Sequence, residues 1–155
     1  MKIAGTGHRP KFCPCLYDED HEWLLDLRGR TSSFLKEQSP EFVITGMAIG
    51  WDTWLAQEAL KLDIPIKAYV PFRGQGNAWP PAAKKEYQRL LDLSLEVKYI
   101  SENYHSGAFH QRDRAMVDDC DLVVALLNPK ADKGGTYYTV QYAKGKEKEV
   151  INFWK

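Results

Sequence analysis

The feature that most constrains the fold is the run Cys120–Leu127, whose last six residues are all apolar. A strand with one face in water alternates apolar and polar residues, whereas a strand in the middle of a parallel sheet is apolar throughout. The run leads into a glycine-containing loop, Lys133–Thr136, after which Tyr137, Val140 and Ala143 recur at helical spacing. The order of strand, loop and helix is typical of an α/β protein.

The same alternation continues along the whole chain. The predicted strands are Lys2–Gly5, Glu41–Thr45, Ile64–Val70, Glu96–Ile100, Cys120–Leu127 and Glu149–Phe153. The predicted helices are Asp18–Glu37, Trp51–Leu62, Ala82–Leu93, Tyr104–Val117 and a last helix that starts near Tyr137. Strands that alternate with helices indicate a mostly parallel sheet covered by helices on both faces. With 155 residues and no repeat or linker, we predict a single domain over residues 1–155.

Composition excludes several classes of protein. The chain has 21 basic and 21 acidic side chains, so extended nucleic-acid binding is not expected. Its apolar runs are far shorter than the roughly 20 residues of a membrane span. The amino terminus also lacks a signal-peptide core, and we predict a cytoplasmic protein that does not enter membranes. Cys13 and Cys15 have the wrong spacing for a zinc knuckle, and His105 and His110 lack a third ligand, so reduced thiols, no metal and no cofactor are expected.

Loops that follow parallel strands meet at one edge of a sheet, so the loops after the first, second, third and fifth predicted strands are expected to share one crevice. In the first of these loops, Arg9 can clamp a phosphate or carboxylate, and His8 can donate to a ligand oxygen. The alternative is that Arg9 is solvated and His8 caps a turn. The following segment, Lys11–Tyr17, either covers the crevice or crosses the surface elsewhere.

Two glycine-to-helix junctions are candidate phosphate sites. Gly46 and Gly50 precede the second predicted helix, and glycines let a ligand approach the backbone where the free N–H groups of a helix start favour an anion. Asp52 at that helix start is either an N-cap or a partner for a ribose hydroxyl. The second junction, Gly134-Gly135-Thr136, either binds phosphate through its N–H groups and hydroxyl or forms a tight turn.

Several further side chains have two interpretations each. Gln75 and Trp79 either hold a base by hydrogen bonding and stacking, or Trp79 attaches the next helix to the core. Glu58 is either functional or an ion-paired helix residue. Arg112 and Arg114 lie two residues apart, point in different directions on a helix, and are not expected to share one role.

The ordered set Thr6-Gly-His-Arg-Pro10, Gly46–Asp52, Gln57-Glu58, Gln75 with Trp79, Arg112 with Asp121, and Gly134-Gly-Thr136 resembles the SLOG superfamily. That superfamily joins the Rossmann domain of DNA-processing protein A to the Lonely Guy phosphoribohydrolases, and the chain is most similar to its small YpsA-like branch. The resemblance implies a Rossmann-like three-layer sandwich that binds a nucleotide or a molecule related to NAD or ADP-ribose, and it suggests a homo-oligomer. The ligand-binding residues expected from the loops and the resemblance are Gly5, Thr6, Gly7, His8, Arg9, Gly46, Met47, Gly50, Asp52, Gln75, Trp79, Arg112, Gly134, Gly135 and Thr136.

The resemblance implies no single chemistry. Lonely Guy enzymes cleave the N-glycosidic bond of a nucleoside monophosphate, and Arg112 and the Gly135-Thr136 pair match their arginine and Gly-Thr motif. Thr139, however, stands where those enzymes have a catalytic glutamate, and a neutral hydroxyl does not replace a carboxylate at an oxocarbenium-like transition state. Asp52, Glu58 and Asp118 are the candidates to supply that carboxylate instead.

Three functions are therefore compared. The first is a binding protein for a nucleotide-derived small molecule, acting as a sensor, carrier or sequestering protein. The second is an N-glycoside hydrolase acting on nucleoside monophosphates, whose catalytic carboxylate would be Asp52, Glu58 or Asp118. The third is a module that binds single-stranded nucleic acid or another protein, suggested by the five tryptophans.

Overall fold

The computed structural model describes residues 1–155, with six strands and five helices in alternation. The strands are β1 (Lys2–Gly7), β2 (Phe42–Thr45), β3 (Ile66–Phe72), β4 (Glu96–Ser101), β5 (Leu122–Leu126) and β6 (Glu149–Asn152). The helices are α1 (Glu22–Gln38), α2 (Trp51–Lys61), α3 (Pro81–Leu93), α4 (Ala108–Asp118) and α5 (Gly135–Gly145). A short 3-10 turn, Pro10–Phe12, follows β1. None of the helices is long and apolar enough to cross a membrane.

All six strands are parallel and form one sheet in the order β4-β3-β2-β1-β5-β6. The chain first builds outward from β1 to β4 and then returns to the other side of β1 with β5. The chain that leaves β1 therefore runs to one side of the sheet and the chain that leaves β5 runs to the other side. The space between these two connections is a crevice at the carboxyl ends of β1 and β5.

The sheet is buried on both faces by separate cores. On one face, α1, α2 and α3 pack over a large cluster that includes Leu24, Leu27, Leu35, Leu55, Ile66 and Leu90. On the other face, α4 and α5 cover a smaller cluster that includes Ile44, Met116, Val117, Val123 and Ala143. All five residues of β5 are buried, as predicted for a central parallel strand. The α/β class and the Rossmann-like three-layer sandwich are confirmed, and the sheet is parallel throughout.

Three predicted boundaries are corrected, two of them by strand pairing. β1 continues past Gly5 because Thr6 and Gly7 pair with β5. β3 continues through Pro71, since β2 pairs only as far as Ala68 and the missing N–H of the proline has no strand to meet on that side. α4 begins at Ala108 rather than at Tyr104.

The packing of α2 on the sheet depends on Trp51. This indole is 1% exposed and its Nε1–H donates to the Val124 carbonyl at 3.2 Å, so it reaches across β1 to β5. The ring lies directly against Gly7, where a Cβ would come within 2.5 Å of two Trp51 ring atoms. The absence of a side chain at Gly7 is therefore required for the packing of α2.

Gly7→Ala is expected to lower the free energy of unfolding by about 1–3 kcal/mol, because the buried indole has no space into which to move. The matched control is Gly29→Ala on the exposed side of α1, where a Cβ meets nothing within 4 Å. That change is expected to stabilise the helix by about 0.5–1 kcal/mol. Urea denaturation measures both, and a Gly7→Ala protein as stable as the control would contradict this packing role.

Candidate functional site

A cavity of about 620 Å³ lies at the carboxyl ends of β1 and β5. The loop after β1 forms one wall, the loop before α5 forms the opposite wall, and α4 and the start of α2 form the floor. The predicted residues that line it are Gly5, Thr6, Gly7, His8, Arg9, Asp52, Arg112, Gly134, Gly135 and Thr136. The first and fifth loops thus meet as expected from the sheet topology.

The N-terminus of α5 faces this cavity without obstruction. Gly134 has a φ of 102° that favours glycine, and a Cβ on either Gly134 or Gly135 would meet no atom within 4 Å. No side chain caps the helix. Because the N–H groups of a first helical turn have no partner within the helix, this end presents free donors and a partial positive charge to a ligand.

Three cations on the cavity wall have no carboxylate partner in the protein. Arg9, Lys11 and Lys133 all line the cavity, and none forms an ion pair or a side-chain hydrogen bond within the protein. Lys11 packs its ammonium 4.9 Å from the centre of the Phe12 ring, which also lines the cavity. Together with the helix end, these groups favour an anionic ligand.

Arg112 forms the floor and is only 5% exposed. Its Nη1 donates to the Gly46 carbonyl at 2.7 Å and the Tyr69 carbonyl at 3.3 Å, and its Nε donates to Asp113 at 2.6 Å. The remaining nitrogen, Nη2, makes no hydrogen bond within the protein. Arg112 therefore joins β2, β3 and α4 and keeps one donor for the cavity, whereas Arg114 is exposed over Tyr142.

Asp52 is 7% exposed on the cavity floor. The N-cap of α2 is Gly50, so the N-cap alternative for Asp52 is wrong, although its Oδ2 does accept the Ala48 N–H at 3.2 Å. Burial raises the pKa of Asp52 to about 6, against the opposing effects of Arg112 and the Ala48 N–H. The group therefore changes charge close to neutral pH.

Asp113 is a carboxylate of the cavity that the sequence did not single out. Its Oδ1 accepts from Arg112, and its Oδ2 accepts the Thr139 hydroxyl at 3.1 Å. The single proton of the Thr139 hydroxyl is shared with the Gly135 carbonyl, which lies closer, at 2.8 Å. A carboxylate thus lies beside Thr139, supplied by α4 instead of by α5.

His8 is held as a neutral ring. Its Nε2 accepts the Asn128 N–H at 2.9 Å, which leaves the proton on Nδ1. Burial lowers the pKa of His8 from its ordinary value, which also favours the neutral form. The ring packs against Phe12 and Trp154 at centroid distances of 6.1 and 5.8 Å. Because Asn128 belongs to the loop after β5, the bond from its N–H to His8 fixes the first loop against the fifth.

The first glycine junction lies behind the cavity. Of its predicted ligand-binding residues, Gly46, Met47 and Gly50 do not line the cavity. A Cβ on Gly46 would lie 2.5 Å from Arg112 Nη1, and one on Gly50 would lie 2.7 Å from the His8 carbonyl. Met47 is 1% exposed in the core. These three residues support the floor, to which the same junction contributes Ala48 and Asp52, and of the two junctions only the second leaves its glycines open to a ligand.

Gln75 and Trp79 also lie outside the cavity lining. Gln75 is buried with its amide 3.4 Å from the Gly46 carbonyl. Trp79 packs edge-on against Tyr87 of α3 at 5.1 Å, as in the alternative in which it attaches the next helix. The third loop therefore supports the site from behind.

Two of the three catalytic candidates lie elsewhere. Glu58 is buried on α2 and pairs with Arg28 at 3.2 Å and Lys61 at 3.1 Å. Asp118 accepts the Tyr142 hydroxyl at 2.8 Å on the protein surface. Only Asp52 among the candidates lines the cavity. No group of histidine, cysteine and acidic side chains is placed to hold a metal ion.

The lining residues that sequence reasoning did not select are Lys11, Phe12, Ala48, Phe109, Asp113, Ala131, Asp132 and Lys133. Lys11 and Phe12 belong to the segment for which covering the crevice was one alternative. Asp113 directly follows Arg112, so helical geometry places the two side chains on different faces of α4. Asp113 still lines the cavity because α5 packs beside α4 and brings Thr139 next to it.

Nearly the whole chain matches one family model and a curated protein. The family model described as the YspA SLOG family matches residues 6–154. A UPF0398 protein of Bacillus velezensis is 25% identical over 159 residues, which cover 95% of this chain and 86% of that protein.

Two solved structures of DNA processing protein A have the same fold. The protein from Streptococcus pneumoniae superposes with a TM-score of 0.65 at 17% identity over 96% of this chain. The protein from Helicobacter pylori superposes with a TM-score of 0.66 at 18% identity over 97% of this chain. This chain spans 48% and 63% of the two proteins, respectively.

Arg112→Lys is expected to lower the free energy of unfolding by about 2 kcal/mol or more, because one ammonium nitrogen does not span two carbonyls and a carboxylate. Arg114→Lys, two residues away on the exposed side of α4, is the matched control and is expected to change it by about 0.5 kcal/mol or less. Urea denaturation compares the two variants. Equal losses would show that Arg112 does not have this structural role.

Asp52 gives the stability a defined pH dependence. Between its ordinary pKa of 3.8 and its folded value of about 6, the native protein holds a proton that the unfolded chain has released. The free energy of unfolding is therefore expected to fall as pH rises through this window. Asp52→Asn, which can still accept the Ala48 N–H, is expected to lack this contribution, and urea unfolding of both proteins from pH 4 to 7 isolates it. A stability difference between them that stays constant with pH would contradict the assignment.

Proposed function

The chain belongs to the YspA SLOG family, and from this membership and its site we propose that it binds a nucleotide-derived small molecule with its phosphate at the N-terminus of α5. The observation that carries the proposal is the open end of α5 in a cavity of about 620 Å³. A volume in this range suits a small-molecule ligand. The proposed role is that of a sensor, carrier or sequestering protein.

The charges of the cavity support an anionic ligand with polar groups. Arg9, Lys11 and Lys133 form no ion pair within the protein, and Arg112 contributes one free nitrogen from the floor. Asp52 and Asp113 add acceptors on the same side of the cavity. Free cations suit the phosphate, while carboxylates suit the donor groups of a sugar or base.

N-glycoside hydrolysis is the second candidate function. The observation that favours it is the Asp113 carboxylate beside Thr139 and next to Arg112. A carboxylate near an anomeric carbon stabilises oxocarbenium character or activates water. Asp52 and Asp113 would be its acidic groups, and a nucleoside monophosphate its substrate.

Single-stranded DNA is a further ligand to include in the test, since DNA processing protein A of Helicobacter pylori has a single-stranded DNA binding mode. This chain has a net charge of 0, and the cations Arg9, Lys11 and Lys133 line a cavity of about 620 Å³. The proposal therefore favours a small molecule over an extended strand.

The binding test is isothermal titration with nucleoside mono-, di- and triphosphates, NAD, ADP-ribose and an oligo-dT strand. At least one small nucleotide-derived ligand is expected to bind with a Kd below about 1 mM. In Gly135→Ala, the added Cβ occupies open space at a residue that lines the anion site, so the affinity is expected to fall by about tenfold or more, the equivalent of one hydrogen bond.

Gly29→Ala is the matched control, because both glycines are helical with nothing within 4 Å of an added Cβ. Both variants are expected to fold with unchanged or higher stability, and only Gly135→Ala to lose affinity. If no small molecule binds below about 1 mM, or if Gly135→Ala binds as the wild type does, the proposal is wrong. Chromatography of the titrated mixtures then separates the two candidates, since release of free base would favour the hydrolase and its absence the binding protein.

A further inference from the structure

Asp52 is a buried carboxylate on the cavity floor that has no ion pair. It is only 7% exposed. Arg112 lies close to it, since Arg112 Nη1 and Asp52 Oδ2 are 2.5 and 2.9 Å from the same point, where a Cβ on Gly46 would stand. The two side chains nevertheless do not form an ion pair, and the paired N–H groups of Arg112 bond to Asp113 and to two backbone carbonyls. The floor therefore holds a carboxylate without a cation in contact.

The two oxygens of the Asp52 carboxylate have different surroundings. Oδ2 accepts the Ala48 N–H at 3.2 Å. Oδ1 accepts no hydrogen bond within the protein and is not sealed from solvent. Because Asp52 lines the cavity, Oδ1 is the oxygen that a ligand can reach. When the acid is protonated, the proton goes to Oδ1, since Oδ2 is already engaged, and the group then donates a hydrogen bond instead of accepting one.

The charged groups that face Asp52 come from α4 and from the loop after β1. Burial raises the pKa of Asp52 to about 6, against the lowering effect of the Arg112 charge and of the Ala48 N–H. Asp113 of α4 adds to the rise, and Arg9 of the first loop opposes it. The neutral and the ionised acid are therefore close in free energy near neutral pH, and a further charge in the cavity is able to change which one is present.

The charge of Asp52 matters to any anion in the same cavity. The charged side chains that line it are Arg9, Lys11, Arg112, Lys133, Asp52, Asp113 and Asp132. These four cations and three carboxylates have a formal charge of +1, which becomes +2 when Asp52 takes up a proton. An ionised Asp52 and a bound anion repel each other, so an anion in the cavity favours the protonated acid.

We propose that the cavity binds its anionic ligand together with a proton that Asp52 takes up, so that the affinity for the anion is higher in acidic than in alkaline solution. This inference rests on the proposed anion site and adds its regulation by pH. Below the free pKa of about 6 the acid already holds its proton, and the bound anion moves that pKa upward. The affinity is therefore constant well below this value, falls as pH rises through it, and levels off above the pKa of the complex.

The first experiment follows the carboxyl carbon of Asp52 in the wild-type protein by ¹³C NMR from pH 4 to 8, with and without sulfate. The resonance is assigned by its loss in Asp52→Asn. Sulfate is the probe because its charge does not change over this range, whereas phosphate titrates within it. Saturating sulfate is expected to raise the midpoint of the Asp52 titration by about one pH unit, which is equivalent to a tenfold change in affinity. The amide signals of Gly134–Thr136 report in the same samples whether sulfate is bound at α5.

Two variants test the same linkage by affinity. Asp52→Asn has no titrating group at this position, and it is expected to bind sulfate about tenfold more tightly than the wild type at pH 8 and to lose most of the pH dependence. Asp132→Asn, the same change at an exposed residue of the cavity wall, is the matched control and is expected to keep the wild-type pH dependence. His8 also lines the cavity, and burial lowers its pKa, so any charge that it gains at low pH is common to all three proteins.

The outcomes separate this inference from the function on which it rests. If the amide signals of Gly134–Thr136 do not respond to sulfate, the anion site of the proposed function is wrong. If they respond while the midpoint of Asp52 stays in place, or if Asp52→Asn keeps the pH dependence of Asp132→Asn, proton uptake by Asp52 is wrong and anion binding stands. Thermal unfolding shows whether Asp52→Asn is folded, and the titration of the wild-type carboxyl group decides the question without that variant's affinity.

Discussion

The site depends on the burial of one cation, Arg112. A guanidinium removed from water needs partners for its donors, and here three of its five N–H groups are paired, with two backbone carbonyls and one carboxylate. Those partners come from the loop after β2, from β3 and from α4, so one side chain fixes three elements at the carboxyl edge of the sheet. The cavity floor is rigid because moving any of these elements would leave a buried charge or carbonyl without its partner.

The same constraint explains why the two glycine junctions differ. Gly46 lacks a side chain because Arg112 and Asp52 occupy the space that a Cβ would need, and Gly50 because the chain after β1 crosses it. The amides of that junction bond within the protein, through Thr45, Asp52 and the His8 carbonyl. At Gly134 and Gly135 nothing approaches. Two junctions with the same order of strand, glycine and helix thus differ, because the glycines of one are filled by packing and those of the other are open to a ligand.

The fold and most of the cavity were predictable because they follow from local pattern and topology. The buried run of β5, the strand–helix alternation and the convergence of loops at β1 and β5 led to Thr6–Arg9 and Gly134–Thr136 directly. The structure differs from the prediction where contacts between distant segments determine the position of a residue. Pro71 stays in β3 because β2 has already ended, and Trp79 packs on Tyr87 of α3. Glu58 is held by Arg28 from α1, a partner 30 residues away in sequence.

Asp113 shows most clearly what a motif comparison leaves out. Such a comparison asks which residue occupies a position along the chain, and at position 139 the residue is a threonine. Chemistry depends on which atoms occupy a place in space, and the space beside Thr139 contains the carboxylate of Asp113, held there by Arg112 from the same helix. The loss of an acidic side chain from α5 therefore does not remove acidic character from the site. What changes is its support: the carboxylate belongs to α4 and is fixed in direction by a buried arginine and by the shared hydroxyl of Thr139.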